Sequence, residues 1–430
     1  MITTADRDLL LHLLRTPTVN PLEAAETGEP SDIIAAQHAY ADAAAELGMQ
    51  VVHHAAPPPS ALLREDVPSA VREAAFADDE FRTAQPSLVL RLGPQLPRDR
   101  TLMFNVHLDT VAGLEPVGFD GERFTGRGAI DAKGPAVALL AGIREAVRAE
   151  PALGRDLSVL VQAVAGEEGG AMGAYGTRPL VESGFVGRLN VFCEPTGLRS
   201  LTRATASATA ELRVRGTGSI DDRPDAGHNA AVLLGFLAQH LARELDPADR
   251  PGRLCVAGLH TGELHNRVYG SGKLLLNLSY ASSAEGAEAA RALADSVQTG
   301  LKEFTEIFGG TREFARTAAD AAEITELRWR KRGLPALRGC DARAEALLDR
   351  AGIARWPADE PAFTCDAIWM DGVADTAVLG PGTLAGNNAH AEGEFAELGE
   401  LHDFAAAVAA LLTGFADEHR TTGAGKGEAR

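Results

Sequence analysis

The chain has 430 residues, close to three times the roughly 150 expected per domain, so two domains are favoured and a large buried core is available. Hydrophobic residues make up 45%, charged residues 23% and aromatics 5%, a composition that excludes collagen, coiled coil, membrane bundle and disordered polymer. With 41 Lys plus Arg against 60 Asp plus Glu the net charge is −19, an acidic surface that repels phosphate backbones and argues against a nucleic-acid partner.

Leu9, Leu10, Leu13 and Leu14 recur at helical spacing until Thr16-Pro17 breaks the pattern, and a second helix is expected over 31–47. Asp6, Arg7, Asp8 and His12 interrupt those leucines, so a secretory leader is not expected. No apolar run of about 18 residues occurs either, and the four cysteines (Cys193, Cys255, Cys340, Cys365) form no C-x-x-C pair. The expectation is a cytoplasmic protein with reduced thiols and no membrane.

From 88 to 131 the runs SLVLRLG and TLMFNVHLDT read as buried strands; DAKGPAVALLAGIREAVRAE is helical, and SVLVQAVAGEEG is a strand ending in a turn. Strand, helix, strand in that order implies an α/β domain with a mostly parallel sheet flanked by helices. After about residue 199 the alternating SATAELRVRGTG, a helix over 225–246, KLLLNLSYAS and a helix over 284–308 describe an inserted α+β domain. FTCDAIWMDGVADTAVLGPG returns to buried-strand runs, and RTTGAGKGEAR reads as a frayed tail. The expected division is 1–199 and 316–418 for the first domain, 200–315 for the insert and 419–430 for a flexible tail.

Five places along this framework carry chemistry. NVHLDT puts His107 and Asp109 on one face of a strand end, a pairing that on its own is usually a surface feature. GRGAIDAKG sets Asp131 in a glycine-rich turn before a helix; it lacks the spacing of a phosphate-binding loop, and a carboxylate so placed could serve two metal ions. AGEEGG carries Glu167 and Glu168, adjacent acids that repel unless a cation lies between them, although a bare Glu-Glu is commonly a solvated turn. FCEPTG and GNNAHAEGE add Glu194 and His390 in strand-end loops. Two imidazoles and three carboxylates at the positions where open α/β sheets build their sites suit zinc, with cobalt or manganese as alternatives.

In this order, HLDT, GRGAIDAKG, AGEEGG, CEPTG and GNNAHAEGE closely resemble the motifs of the M20 family of dinuclear zinc peptidases and amidohydrolases. The resemblance implies a zinc-peptidase-like catalytic domain with an inserted lid and dimerisation domain, and a homodimer. It implies that His107, Asp131 and Glu194 hold one zinc and Asp131, Glu168 and His390 the second, with Asp109 orienting His107. Glu167 would be the general base, deprotonating the water between the metals and later protonating the leaving amine. Glu194, where other branches carry Asp, is similar to the desuccinylase, aminoacylase and carboxypeptidase branches, which implies hydrolysis of an N-acyl amino acid or a C-terminal peptide-like bond through a metal-bridging hydroxide.

Two departures stand out. Where many relatives carry a lid histidine that stabilises the oxyanion, alignment on Arg223-Pro224 places Ile220, which cannot donate a hydrogen bond; His228, His260 and His265 are candidate substitutes. Asn277 and Ser279 stand where relatives often have Asp-x-Arg, whereas Asn266 keeps a family asparagine and Asp366 resembles a substrate-side acid. Asn266, His228 and Asp366 are therefore the candidate substrate contacts. The altered lid leaves open a non-hydrolytic condensation or rearrangement, and a non-catalytic metal-binding scaffold is the third alternative.

Overall fold

The computed structural model describes residues 1–246 and 252–424, which divide into two compact units, 1–204 with 337–430 and 205–336. The first unit is an α/β body. The amino-terminal helix Thr4–Arg15 starts at a capping box between Thr3 and Asp6, and the helix expected over 31–47 is Ile33–Ala45, capped by the Asp32 side chain. Its six-stranded sheet runs in the order Met49–Ala55, Ser87–Leu92, Ser158–Val164, Thr101–His107, Leu189–Phe192, Asp375–Val378. The last four strands are mutually parallel, while the first two join antiparallel. The sheet is thus mixed but mostly parallel.

Three of the parallel strands, Ser158–Val164, Thr101–His107 and Leu189–Phe192, are buried along their whole length, as expected where helices cover both faces. Thr101–His107 lies inside the sheet, and its one polar interior residue, Asn105, is satisfied by Gln162 Oε1 at 2.8 Å and Thr177 Oγ1 at 3.1 Å. Lys133–Ala149 and Leu398–Ala424 pack together on this body. A β-carbon on Gly142 would meet the Ala405 carbonyl oxygen at 2.6 Å, so this mid-helix glycine exists to let the two helices approach. Leu398–Arg420 is long and apolar enough to cross a membrane, but Leu401, Phe404, Val408, Leu411, Leu412 and Phe415 line the core. The expected tail from 419 begins inside this helix, and 425–430 lie outside the described residues.

The second unit is an antiparallel sheet in the order Arg253–His260, Ser271–Tyr280, Ala206–Arg215, Thr325–Lys331, accompanied by the helices Ala230–Leu245, Ser283–Phe308 and Ala315–Ile324. The return to the first unit comes at Leu337 rather than at the expected 316. The reason is pairing: Thr325–Lys331, a charged stretch with no continuous apolar run, adds to Ala206–Arg215. Leu337–Arg338 then pairs with Arg203–Ala204, so the two ends of the insertion leave the first unit side by side.

Candidate metal centre

The central strands deliver their chemistry at one edge. His107 ends Thr101–His107 and is buried, with Nε2 at 2.8 Å from Asp131 Oδ1 and 3.9 Å from Glu194 Oε1. Its Nδ1 lies 2.9 Å from the Asp109 carbonyl oxygen. A carbonyl only accepts, so Nδ1 donates to it and Nε2 is turned towards the two carboxylates; burial opposes the ring's charge, yet Asp131 and Glu194 hold its pKa well above the usual imidazole value.

Asp131 sits in the turn ahead of Lys133–Ala149, and its oxygens divide between the histidines: Oδ2 is 3.1 Å from His390 Nε2. Burial opposes its charge, yet the His107 and His390 rings hold it as a carboxylate below the usual range. Glu168 Oε1 lies 2.9 Å from His390 Nε2. Burial raises the Glu168 pKa to about 7 against the pull of His390. His390 is half exposed and left-handed at φ 61, an uncommon conformation for a non-glycine residue. The Asp131 and Glu168 carboxylates push it up to about 10.

Glu194 follows Leu189–Phe192, and burial raises its pKa well above the ordinary carboxylate value despite His107 nearby. Glu167 keeps partial solvent exposure, and desolvation followed by the charges of Glu168, Asp366 and Glu194 raises it well above the carboxylate range. The turn that carries both acids needs its glycine. Gly166 has φ +81, and a β-carbon there would fall 2.1 Å from the Tyr175 ring.

These side chains suit divalent ions. One donor atom each from His107, Asp131 and Glu168 lie within 4.8 Å of one another. Glu168 Oε1 is buried without a hydrogen bond of acceptable geometry even though His390 Nε2 is close, as expected of lone pairs aimed at a common point. Nitrogen and carboxylate donors around a carboxylate with one oxygen towards each histidine fit a pair of borderline metals.

The carboxylate of Asp109 has a different task from the expected one. It is 3.8 Å from His107 Nδ1, and it accepts instead from the backbone N–H of Glu168 at 3.1 Å and of Glu167 at 3.4 Å. Asn20 Nδ2 donates to the same carboxylate at 2.9 Å and to the Tyr175 hydroxyl at 3.2 Å. The backbone of Asp109 therefore sets the histidine, and its side chain sets the acidic turn.

Sequence reasoning missed Asn20, Arg127 and Glu394. Arg127 Nη1 donates to Glu394 Oε2 at 2.7 Å, and Glu394 Oε1 accepts the N–H of Ile130 and Asp131 at 3.1 and 3.2 Å. The usable signals were an Asn-Pro at a helix start and an arginine between two glycines.

The candidate substrate residues fall in different surroundings. Asp366 is buried in the first unit and accepts from Thr177 Oγ1 at 2.5 Å, while its Oδ1 has no hydrogen-bond partner. Burial raises its pKa to about 7. In the second unit His228 is buried; its Nδ1 accepts the Thr217 N–H at 2.8 Å, and its Nε2 faces Asp320 Oδ2 at 3.0 Å. Both ring nitrogens are thus engaged. Asn266 lies exposed in the turn before Arg267–Val268, which pairs with Ser219–Ile220; Ile220 is 54% exposed, and His265 shares the Asn266 turn. His260 ends the strand Arg253–His260 and is exposed.

The family profile described as peptidase family M20/M25/M40 matches residues 103–414. A putative LysW-lysine/LysW-ornithine hydrolase of Aeropyrum pernix is 31% identical over 175 residues, 40% of this chain and 46% of that protein. The match thus spans less than half the length of this curated relative. The metallo-carboxypeptidase Sso-CP2 of Sulfolobus solfataricus superposes with a TM-score of 0.68 at 13% identity, over 96% of this chain and 99% of that one. The aminopeptidase PepT of Bacillus cereus gives 0.67 at 16% identity, over 96% and 98%. The dinuclear metal-binding peptidase YXEP of Bacillus subtilis gives 0.58 at 11%, also over 96% and 98%. These structures share the fold.

Proposed function

This chain belongs to peptidase family M20/M25/M40 and is a metallohydrolase of that family, and from that premise we propose that it cleaves the amide bond of an N-acyl amino acid or a C-terminal peptide-like substrate with two divalent ions, zinc foremost. The observation that carries the reading is Asp131, with one oxygen 2.8 Å from His107 and the other 3.1 Å from His390. His107 and Glu194 would hold one ion and His390 and Glu168 the other, with Asp131 shared. The chemistry supplied by such a pair is polarisation of a carbonyl and acidification of water.

Glu167 is the acid left over. Its raised pKa, set by burial and by neighbouring negative charge, suits it to take a proton from the attacking water and return it to the leaving nitrogen. The lysine and ornithine in the name of the Aeropyrum relative are in keeping with an amino acid on the amine side. A homodimer belongs to the same reading: Arg253–His260 is an edge strand with Val256 and Leu259 exposed, where a second copy could add.

The test is metal content and turnover of an N-acyl amino acid panel. Glu167→Ala is expected to keep both ions and lose about 10²–10⁴-fold in kcat; unchanged turnover removes Glu167 as the base. The exposed Ile220, which offers no donor, favours a second reading in which the same centre catalyses a condensation or rearrangement. Product from ¹⁸O-water decides between them, because an active enzyme whose acid product lacks label is not a simple hydrolase.

A further inference from the structure

Of the two loops that would serve the second ion, one is firmly built and the other is not. The Asp131 turn is anchored by several bonds: Lys133 N–H reaches the Gly128 carbonyl at 2.9 Å, Ala129 N–H reaches Gly126 at 3.0 Å, and the buried Lys133 Nζ reaches the Thr16 carbonyl at 2.9 Å. His390 lies half exposed on a loop with two left-handed non-glycine residues, Asn388 and His390. On either side of it the nearest backbone bonds are local, joining Ala389 to Leu384 and Ala391 to Asn388, and the chain is next held by backbone only at Glu394, whose carbonyl accepts the Gly126 N–H at 3.1 Å, and at the short ladder of Phe395–Glu397 with Arg123–Thr125. Such a loop does not by itself hold an imidazole within the few tenths of an ångström that a metal bond demands.

Besides that backbone bond, the side-chain tie between this loop and the Asp131 turn is a buried ion pair. Arg127 is 6% exposed and Glu394 0%. The guanidinium of Arg127 donates to Glu394 Oε2, to the Ala391 carbonyl at 3.2 Å and, through Nε, to the Gly113 carbonyl at 3.1 Å. Glu115 completes the clamp, accepting from Arg127 Nη2 at 3.3 Å and from the Gly393 N–H at 2.9 Å. Glu394 meanwhile holds the N–H groups of Ile130 and Asp131. One fork therefore grips the chain immediately after His390 and the chain at Asp131. His107 has no need of it, being fixed by its strand and by the Asp109 carbonyl.

We propose that Arg127 and Glu394 are positioning residues for the ion position served by His390 and Glu168, and that this ion pair sets the affinity of that position while leaving the His107 and Glu194 position largely unaffected. The inference rests on the two-ion reading above. Partners one layer outside metal ligands commonly change affinity by about 10–100-fold when removed.

The experiment is a titration of the chelator-stripped full chain with Co²⁺, followed by visible absorption against a competing chelator, together with thermal melts of the metal-free protein. Wild type is expected to take up two Co²⁺ in separable steps, and His390→Ala to identify which step belongs to that position. Glu394→Gln, which keeps an acceptor for the Asp131 N–H but loses the charge facing Arg127, is expected to weaken the same step about ten-fold or more and the other less than about three-fold. Glu115→Gln is the gentler variant, expected to weaken that step by a smaller factor without lowering the melting temperature, and it carries the test if Glu394→Gln does not fold. Equal weakening of both steps, or no change in either for a folded variant, overturns the proposal. Wild type taking up fewer than two Co²⁺ is a different failure: it removes the two-ion reading, and this inference with it.

Discussion

Asn20 offers a test of the acidic turn in which size is held constant and only charge changes. Its side chain is buried, donating to Asp109 Oδ2 at 2.9 Å and to Tyr175 at 3.2 Å while accepting the Leu22 N–H at 3.0 Å. Asn20→Asp keeps the volume and the acceptor but turns a carboxylate towards Asp109. Two unit charges at that 2.9 Å separation repel by about 6 kcal/mol at an effective dielectric near 20. Keeping an ordinary Asp carboxyl protonated at pH 7 costs about 4 kcal/mol, so binding a proton is the cheaper escape and sets the expected loss of stability. The neutral acid can then donate to Asp109 in place of the lost amide.

The folded pKa of the introduced carboxyl lies above its unfolded value, so the folded variant binds the extra proton and loses stability as pH rises. The deficit relative to wild type should therefore be small near pH 4 and widen steadily to pH 7. Urea denaturation of both metal-free proteins across that range measures it, with Asn20→Ala, which loses the amide without adding a charge, as the control expected to lose about 1.5–3 kcal/mol at pH 7. A variant as stable as wild type at pH 7, or a deficit that is flat with pH, refutes the role given to the Asn20 to Asp109 contact.

Metal removal exposes the titration of the proposed ligands themselves. Glu168, raised to about 7 by burial, and His390, raised to about 10 by its carboxylate neighbours, both bind protons more tightly in the folded state. Stripped protein should thus lose stability between about pH 4.5 and 7 through the first and between about pH 6.5 and 10 through the second, and melting curves at pH 6 and 9 check the sign. Added Zn²⁺ should raise the melting temperature more at pH 8 than at pH 6, since the ligands must first be deprotonated. Asp366→Asn removes a negative charge that helps to raise Glu167, so the acid limb of kcat/KM should move to lower pH, as a pH–rate profile of the loaded enzyme would show. Gly142→Ala should destabilise by about 1–3 kcal/mol through collision with the Ala405 carbonyl, with activity per folded molecule unchanged.

The residues gathered around Asp131 were legible because each sits where an apolar run meets a turn, a local pattern that needs no knowledge of the fold. Strand direction was not: SLVLRLG and SVLVQAV are equally apolar, yet they pair antiparallel, and nothing in a buried run encodes its polarity. Met49–Ala55 escaped notice because an edge strand carrying His53 and His54 lacks a continuous apolar signal. The second boundary of the insertion was misplaced because the alternate charges of Thr325–Lys331 resemble solvated linker until Ala206–Arg215 is seen beside them. Arg127 and Glu394 lie 267 positions apart and each, taken singly, looks like a solvated charge; only the folded chain shows that they are partners.

The paired exit and entry of the insertion have a practical corollary. Ala204 and Leu337 face one another across a short antiparallel ladder, so the polypeptide departs and comes home through a single doorway about 5 Å wide. A tight reverse turn could bridge that gap, and every side chain assigned to the ions belongs to the part that would be left behind. Exchange of the intervening segment between homologues, or its replacement by an unrelated module, is therefore a graft at one point on the scaffold, and selectivity could diversify there without disturbing the ion-holding framework.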